Sequence, residues 1–169
     1  MYNVYLDIET TGLRPFYGDE VTCVCVKVVD GDNVTRFSKV GVPEPQILNE
    51  TALFLEKHAK GILITKNGKM FDVPFLLTRA VMLGDKASYD KLSQLVSMIH
   101  IDLHEITKKW VSLDDMARMY GLEPKTGNGK QAIQMFHEGR YKELARYCGN
   151  DVELTQKCFE TFNNLGKKQ

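Results

Sequence analysis

Five oxygen-bearing side chains stand where runs of regular structure begin or end. Asp7 and Glu9 follow the apolar stretch Val4-Tyr5-Leu6 and lie two residues apart. On a strand that spacing sends both carboxylates to one side of the sheet. Asp72 follows Asn67-Gly68-Lys69-Met70-Phe71, just past the apolar run Ile62-Leu63-Ile64, and opens a helix. Tyr147 and Asp151 are four residues apart, so on a helix they share one face. Four carboxylates and a phenol suit hard divalent cations, Mg2+ or Mn2+, which prefer oxygen ligands. Two such ions, about 3.5–4 Å apart, can stabilise the attacking and leaving oxygens of a phosphoryl displacement.

Each of these residues also has a plainer reading. Asp72 before Val73-Pro74 suits a helix N-cap, Asp-Ile-Glu suits a solvated strand end, and Tyr147 with Asp151 suits an ordinary helical pair. Other combinations are weaker. His100-Ile101-Asp102-Leu103-His104 has the residue types of a transition-metal clasp, but a capping box from Asp102 to Glu105 explains it better. Gly127-Asn128-Gly129-Lys130 lacks the full spacing of a phosphate loop. Cys23 and Cys25 point to one face of a strand, and no C-x-x-C pair accompanies them, so no structural zinc site is expected.

The elements that must position the carboxylates follow from the pattern. Val4-Tyr5-Leu6, Val21 to Val29 and Val34 to Phe37 read as three antiparallel strands, the last two joined at Asp30-Gly31-Asp32-Asn33. Ile47, Leu48, Thr51, Ala52, Phe54 and Leu55 recur at helical spacing. Ile62-Leu63-Ile64 reads as a buried strand, and Asp72 begins a helix that Gly84 closes. The second half reads as helical, with a capping box at Asp102 and a weaker one at Ser112, Trp110 as a core anchor and Gly121 to Lys130 as a flexible loop. The last helix is expected from about Arg140 to Leu165. Strands first, then a helix-strand-helix crossover and more helices, give an α/β sheet covered on both faces.

Composition narrows the function classes. A chain of 169 residues, 43% hydrophobic and 26% charged, has the make-up of one folded domain and excludes disordered and collagen-like classes. We expect a single domain over residues 1–165 and a frayed tail at 166–169. Twenty-two basic residues balance twenty-two acidic ones, which excludes an overall basic coating for nucleic acid. Locally, residues 1–35 carry six acids against Arg14 and Lys27, whereas 121–147 carry five basic residues against three acids. Any nucleic-acid contact must come from a local patch. No apolar run approaches the roughly 18 residues of a membrane span, and the cysteines carry no disulfide signature. A soluble protein of a reducing, cytoplasm-like compartment is the expectation.

Taken in order, the acidic segments resemble the three motifs of the DEDD 3′–5′ exonucleases. Tyr5-Leu6-Asp7-Ile8-Glu9-Thr10-Thr11-Gly12-Leu13 is similar to the first, Asn67 to Asp72 to the second, and Tyr147-Cys148-Gly149-Asn150-Asp151 to the third. The Tyr-x(3)-Asp form resembles the tyrosine subgroup, DEDDy, which includes family B polymerase proofreading domains and RNase D-type nucleases. The resemblance runs from residue 2 to about 165. It implies an RNase H-like α/β fold: a mixed five-stranded sheet, three antiparallel strands then parallel crossovers, with helices on both faces.

The resemblance also implies roles. Asp7 would bridge two divalent cations, Glu9 and Asp151 would help to hold the one that activates water, and Asp72 would support the other through water. Tyr147 would orient the attacking water. Thr10 and Leu13 match positions that meet the terminal 3′-hydroxyl and wedge the last base, and Asn67 and Phe71 match supporting positions of the second motif. The implied activity releases nucleoside 5′-monophosphates from single-stranded 3′ ends. DNA is favoured over RNA because the first two motifs look closest to the family B proofreading type. An exoribonuclease, or a catalytically silent nucleic-acid-binding module of the same fold, are the alternatives. A polymerase or another end-delivering protein is the implied partner.

Overall fold

In the computed structural model, which describes residues 1–107, 110–125 and 127–166, a five-stranded sheet is built around the strand that carries the first acidic pair. The strands are β1 (Asn3–Thr10), β2 (Val21–Asp30), β3 (Asn33–Val40), β4 (Ile62–Thr65) and β5 (Ile99–Asp102), in spatial order β3-β2-β1-β4-β5. β1 with β2 and β2 with β3 are antiparallel, while β1 with β4 and β4 with β5 are parallel. The sheet is the mixed α/β arrangement expected. Residues 167–169 of the predicted tail lie outside the described residues.

Successive side chains of β1 divide between two cores. Val4, Leu6 and Ile8 face α1 (Glu44–Glu56), α2 (Asp72–Met82), α3 (Lys86–Leu92) and α4 (Gln94–Ser97). Tyr5 faces the opposite layer, made by α5 (Leu103–Ile106), α6 (Leu113–Met119), α7 (Gly129–His137) and the long α8 (Tyr141–Gly166). The two-residue period therefore sends Asp7 and Glu9 toward α8, as the sequence predicts.

Asp72 opens α2, as expected, with Phe71 at the cap position and no side-chain bond there. Three expectations need correction. Trp110 is 67% exposed instead of anchoring the core. The glycine-rich loop stops early, because Asn128 and Gln131 form a capping box that starts α7. β5 also stands within the half that reads as helical, for its four residues gain their order by pairing with β4. Among the described residues, no helix is long and apolar enough to cross a membrane.

Candidate active site

β4 is shorter than β1, and the site forms beyond its end. β4 pairs with β1 only through Tyr5, so the edge of β1 from Leu6 onward is free of it. Asp72 takes up that edge: its Oδ1 accepts a hydrogen bond from the Ile8 amide at 3.1 Å. The carboxylate of α2 is thereby fixed between the backbone positions of Asp7 and Glu9. On the α8 side, Asp7, Glu9 and Cys148 bring two carboxylate oxygens and a thiol within 4.8 Å of one another. Asp151, one turn past Tyr147, is buried and completes the carboxylate set.

The turn leading to Asp72 is tightly specified. Asn67 adopts a left-handed conformation (φ 68°), and a Cβ on Gly68 would lie 2.5 Å from the Thr65 side chain. Only glycine fits there without moving the strand end. Asp102, at the end of β5, accepts from the amides of Asn67 (2.6 Å), Lys69 (2.9 Å) and His104 (2.9 Å). Its carboxylate is thus committed to the turn, while His100 Nε2 bonds Thr65 Oγ1 at 2.8 Å. The His-x-Asp-x-His segment braces the site through these bonds.

The loop after β1 is braced as well. Thr10 is buried, and its hydroxyl donates to the Gly12 carbonyl at 2.6 Å. The buried Arg79 donates through Nε and Nη2 to Glu44 and through Nη1 to the Pro15 carbonyl, and Glu44 also accepts from the Val21 amide. From this support Leu13 projects into solvent, 78% exposed. Phe71 turns away and packs on Phe75, ring centroids 5.4 Å apart.

Among the described residues, Lys125 brings a cation into the cluster. Lys125 Nζ lies 2.5 Å from Asp151 Oδ2 and 2.9 Å from the Tyr147 hydroxyl. Its own amide is held by Asp114 Oδ1 at 3.0 Å. The sequence places Lys125 only within a generally basic segment, and its pairing is tertiary. Trp110 stands on the rim with Lys66 Nζ 4.8 Å from its ring centre. A cavity of about 220 Å³ opens between Asp7, Asn67, Trp110, Lys125 and Asp151.

The electrostatics show negative charge in excess. Burial, then the neighbouring Asp151, Glu9 and Asp72, push the Asp7 carboxyl well above the usual range. Burial and Asp151 raise Glu9 to about 8. Burial raises Asp72 to about 7 against the pull of its backbone hydrogen bonds. Asp151 is also raised by burial, although Lys125 opposes the shift. Burial pushes the Tyr147 phenol up to about 12. One oxygen of Asp151, Oδ1, is buried and has no hydrogen-bond partner among the described residues. An unmatched buried acceptor among crowded carboxylates fits divalent cations, whose charge and oxygen preference supply what the protein lacks.

A family profile described as RNase_H superfamily matches residues 4–163. A DNA polymerase of Pyrococcus glycovorans is 24% identical over 161 residues, covering 79% of this chain and 21% of the polymerase. The fold is similar to the family B DNA polymerase of the hyperthermophilic archaeon Pyrobaculum calidifontis, with a TM-score of 0.72 and 22% identity. That alignment covers 92% of this chain and 24% of the polymerase. The chain thus spans about a quarter or less of the length of these relatives. With the profile extending over nearly every element that builds the site, the chain belongs to the RNase H superfamily.

Proposed function

We propose that this chain is a metal-dependent 3′–5′ exonuclease that releases nucleoside 5′-monophosphates from single-stranded ends, with DNA preferred over RNA. The observation that carries the reading is the convergence of Asp7, Glu9, Asp72 and Asp151 on one end of β1, with Asp151 Oδ1 buried and unpartnered. Similarity to family B polymerases supports a nuclease-type function, and the order of the three acidic motifs supports the DEDDy subgroup.

Asp7, Glu9, Asp72 and Asp151 would hold two divalent cations, Mg2+ or Mn2+. When bound, such ions would neutralise phosphate charge and acidify an attacking water. Tyr147 stays protonated at neutral pH, with its pKa at about 12, and positions that water through one hydrogen bond. Lys125 orients the phenol and balances Asp151. The Thr10 segment receives the terminal 3′-hydroxyl, Leu13 wedges the last base, and Asn67 with Phe71 keeps the second-motif turn in place. Lys130, Arg140, Lys142 and Arg146 supply phosphate contacts. Few such contacts imply weak, distributive binding or a partner such as a polymerase that delivers ends.

The test is cleavage of a 5′-labelled single strand, as DNA and as RNA, with Mg2+, Mn2+ or EDTA. Ladders shortening from a free 3′ end, stopped by EDTA or a 3′-phosphate, are expected. Shortening from the 5′ end, or cuts in a circular strand, would refute the polarity.

A further inference from the structure

Three thiols meet directly behind the acidic cluster. In the antiparallel register Cys25 stands opposite Asp7 and Cys23 opposite Glu9, so thiols and carboxylates share the α8 face of the sheet. From α8, Cys148 completes a triangle whose three sulfurs all lie within 4.8 Å of one another, with Cys23 Sγ and Cys25 Sγ 4.0 Å apart. All three are buried and none is in a disulfide. The spacing of Cys23 and Cys25 alone carries no zinc signal; the third ligand arrives from a helix more than a hundred residues away.

The Cys23–Cys25 distance of 4.0 Å matches thiolate coordination. With zinc–sulfur bonds of about 2.3 Å, sulfurs around one ion lie about 3.8 Å apart in tetrahedral and about 4.0 Å in trigonal geometry. Beside the triangle, Asp7 Oδ2 lies 3.4 Å from Cys148 Sγ. Ser38 Oγ, 3.4 Å from Cys25 Sγ, can turn its proton toward a thiolate as an outer-shell donor. An entry route exists too: a cleft of about 470 Å³ between β2, β3 and α8 has Cys25 in its wall.

We propose that Cys23, Cys25 and Cys148 form a three-thiolate site for a thiophilic divalent cation of the zinc class. Binding exchanges thiol protons for the metal and involves no redox step. Soft sulfur ligands separate this site from the hard oxygen cluster beside it. If the nuclease reading holds, the two sites adjoin at Cys148, whose Sγ lies 3.4 Å from Asp7 Oδ2.

The test is a Cd2+ titration of the reduced, EDTA-stripped full chain in excess Mg2+, read by thiolate-to-cadmium charge-transfer absorption. A band saturating at one equivalent is expected. It should vanish in Cys23→Ser and Cys25→Ser and persist in Cys158→Ser. No band in the wild type, or one that survives Cys23→Ser, would overturn the site. The band needs no cleavage, so failure of the nuclease reading is read separately.

Discussion

Lys125 forms a salt bridge with Asp151 at 2.5 Å through the oxygen next to the one left unpartnered. The chain's own ammonium therefore sits on one oxygen of a carboxylate whose other, buried oxygen has no partner among the described residues. Lys125 also donates to the Tyr147 hydroxyl, so one side chain touches both the proposed metal ligand and the proposed water-positioning group. Lys125→Ala should split the two. Removing a competing positive charge should tighten Mn2+ binding at pH 8–9, whereas turnover should fall roughly tenfold or more as the phenol loses its partner. Mn2+ titrations beside single-turnover rates check this; weaker binding with unchanged turnover would contradict it.

The raised carboxyls predict the pH dependence of stability. A buried acid with a raised pKa keeps its proton in the folded chain where the unfolded chain has released it. Stability is then greatest below the ordinary carboxylate value near 4 and is lost as pH rises through the folded values, about 7 for Asp72 and about 8 for Glu9. Thermal melts in EDTA should show the Tm falling between pH 5 and pH 8, by roughly 2–4 °C for each kcal/mol lost at this chain length. Mn2+ should restore it at pH 8. Asp7→Ala should flatten the slope and abolish cleavage, and a Tm that rises with pH would refute the argument.

Trp110 predicts a substrate effect in place of a folding effect. Its ring is exposed on the cavity rim, beside His104 and under Lys66. Exposed aromatics with a neighbouring cation suit stacking of an unpaired base, worth about 1–3 kcal/mol each. Trp110→Ala should raise KM for a single strand about 5- to 150-fold and leave the Tm within a few degrees. A collapse in Tm with unchanged KM would return the residue to a packing role.

The sequence shows the chemistry more clearly than the framework that holds it. Asp7 and Glu9 are legible because a strand's period alone sets their side, and Tyr147 with Asp151 because a helical turn sets theirs. β5 is not, since Ile99-His100-Ile101-Asp102 becomes a strand only through its parallel neighbour. Trp110 misleads because large aromatic size usually means burial. Lys125 and Cys148 reach their partners across 26 and 141 positions of chain, a tertiary fact that no local pattern carries.

Asp102 predicts how far the second-motif turn controls catalysis without touching substrate. Its buried carboxylate accepts three backbone amides, two of them in the Asn67–Lys69 turn that carries the chain to Asp72. Hydrogen bonds to a charged group are worth about 1.5–3 kcal/mol, and amides left unpaired in the buried turn add a penalty. Asp102→Ala should therefore cost at least about 2 kcal/mol of stability. Asp102→Asn keeps one acceptor oxygen and the side-chain volume, so it should fold with a smaller loss. Its turn, held at fewer points, should place Asp72 less well: turnover should drop more than KM rises, and saturating Mn2+ should rescue part of it. Denaturant melts and kcat against KM at several Mn2+ concentrations for both variants decide the matter. Full turnover in Asp102→Asn would show that Asp72 is held by the Ile8 amide and α2 alone.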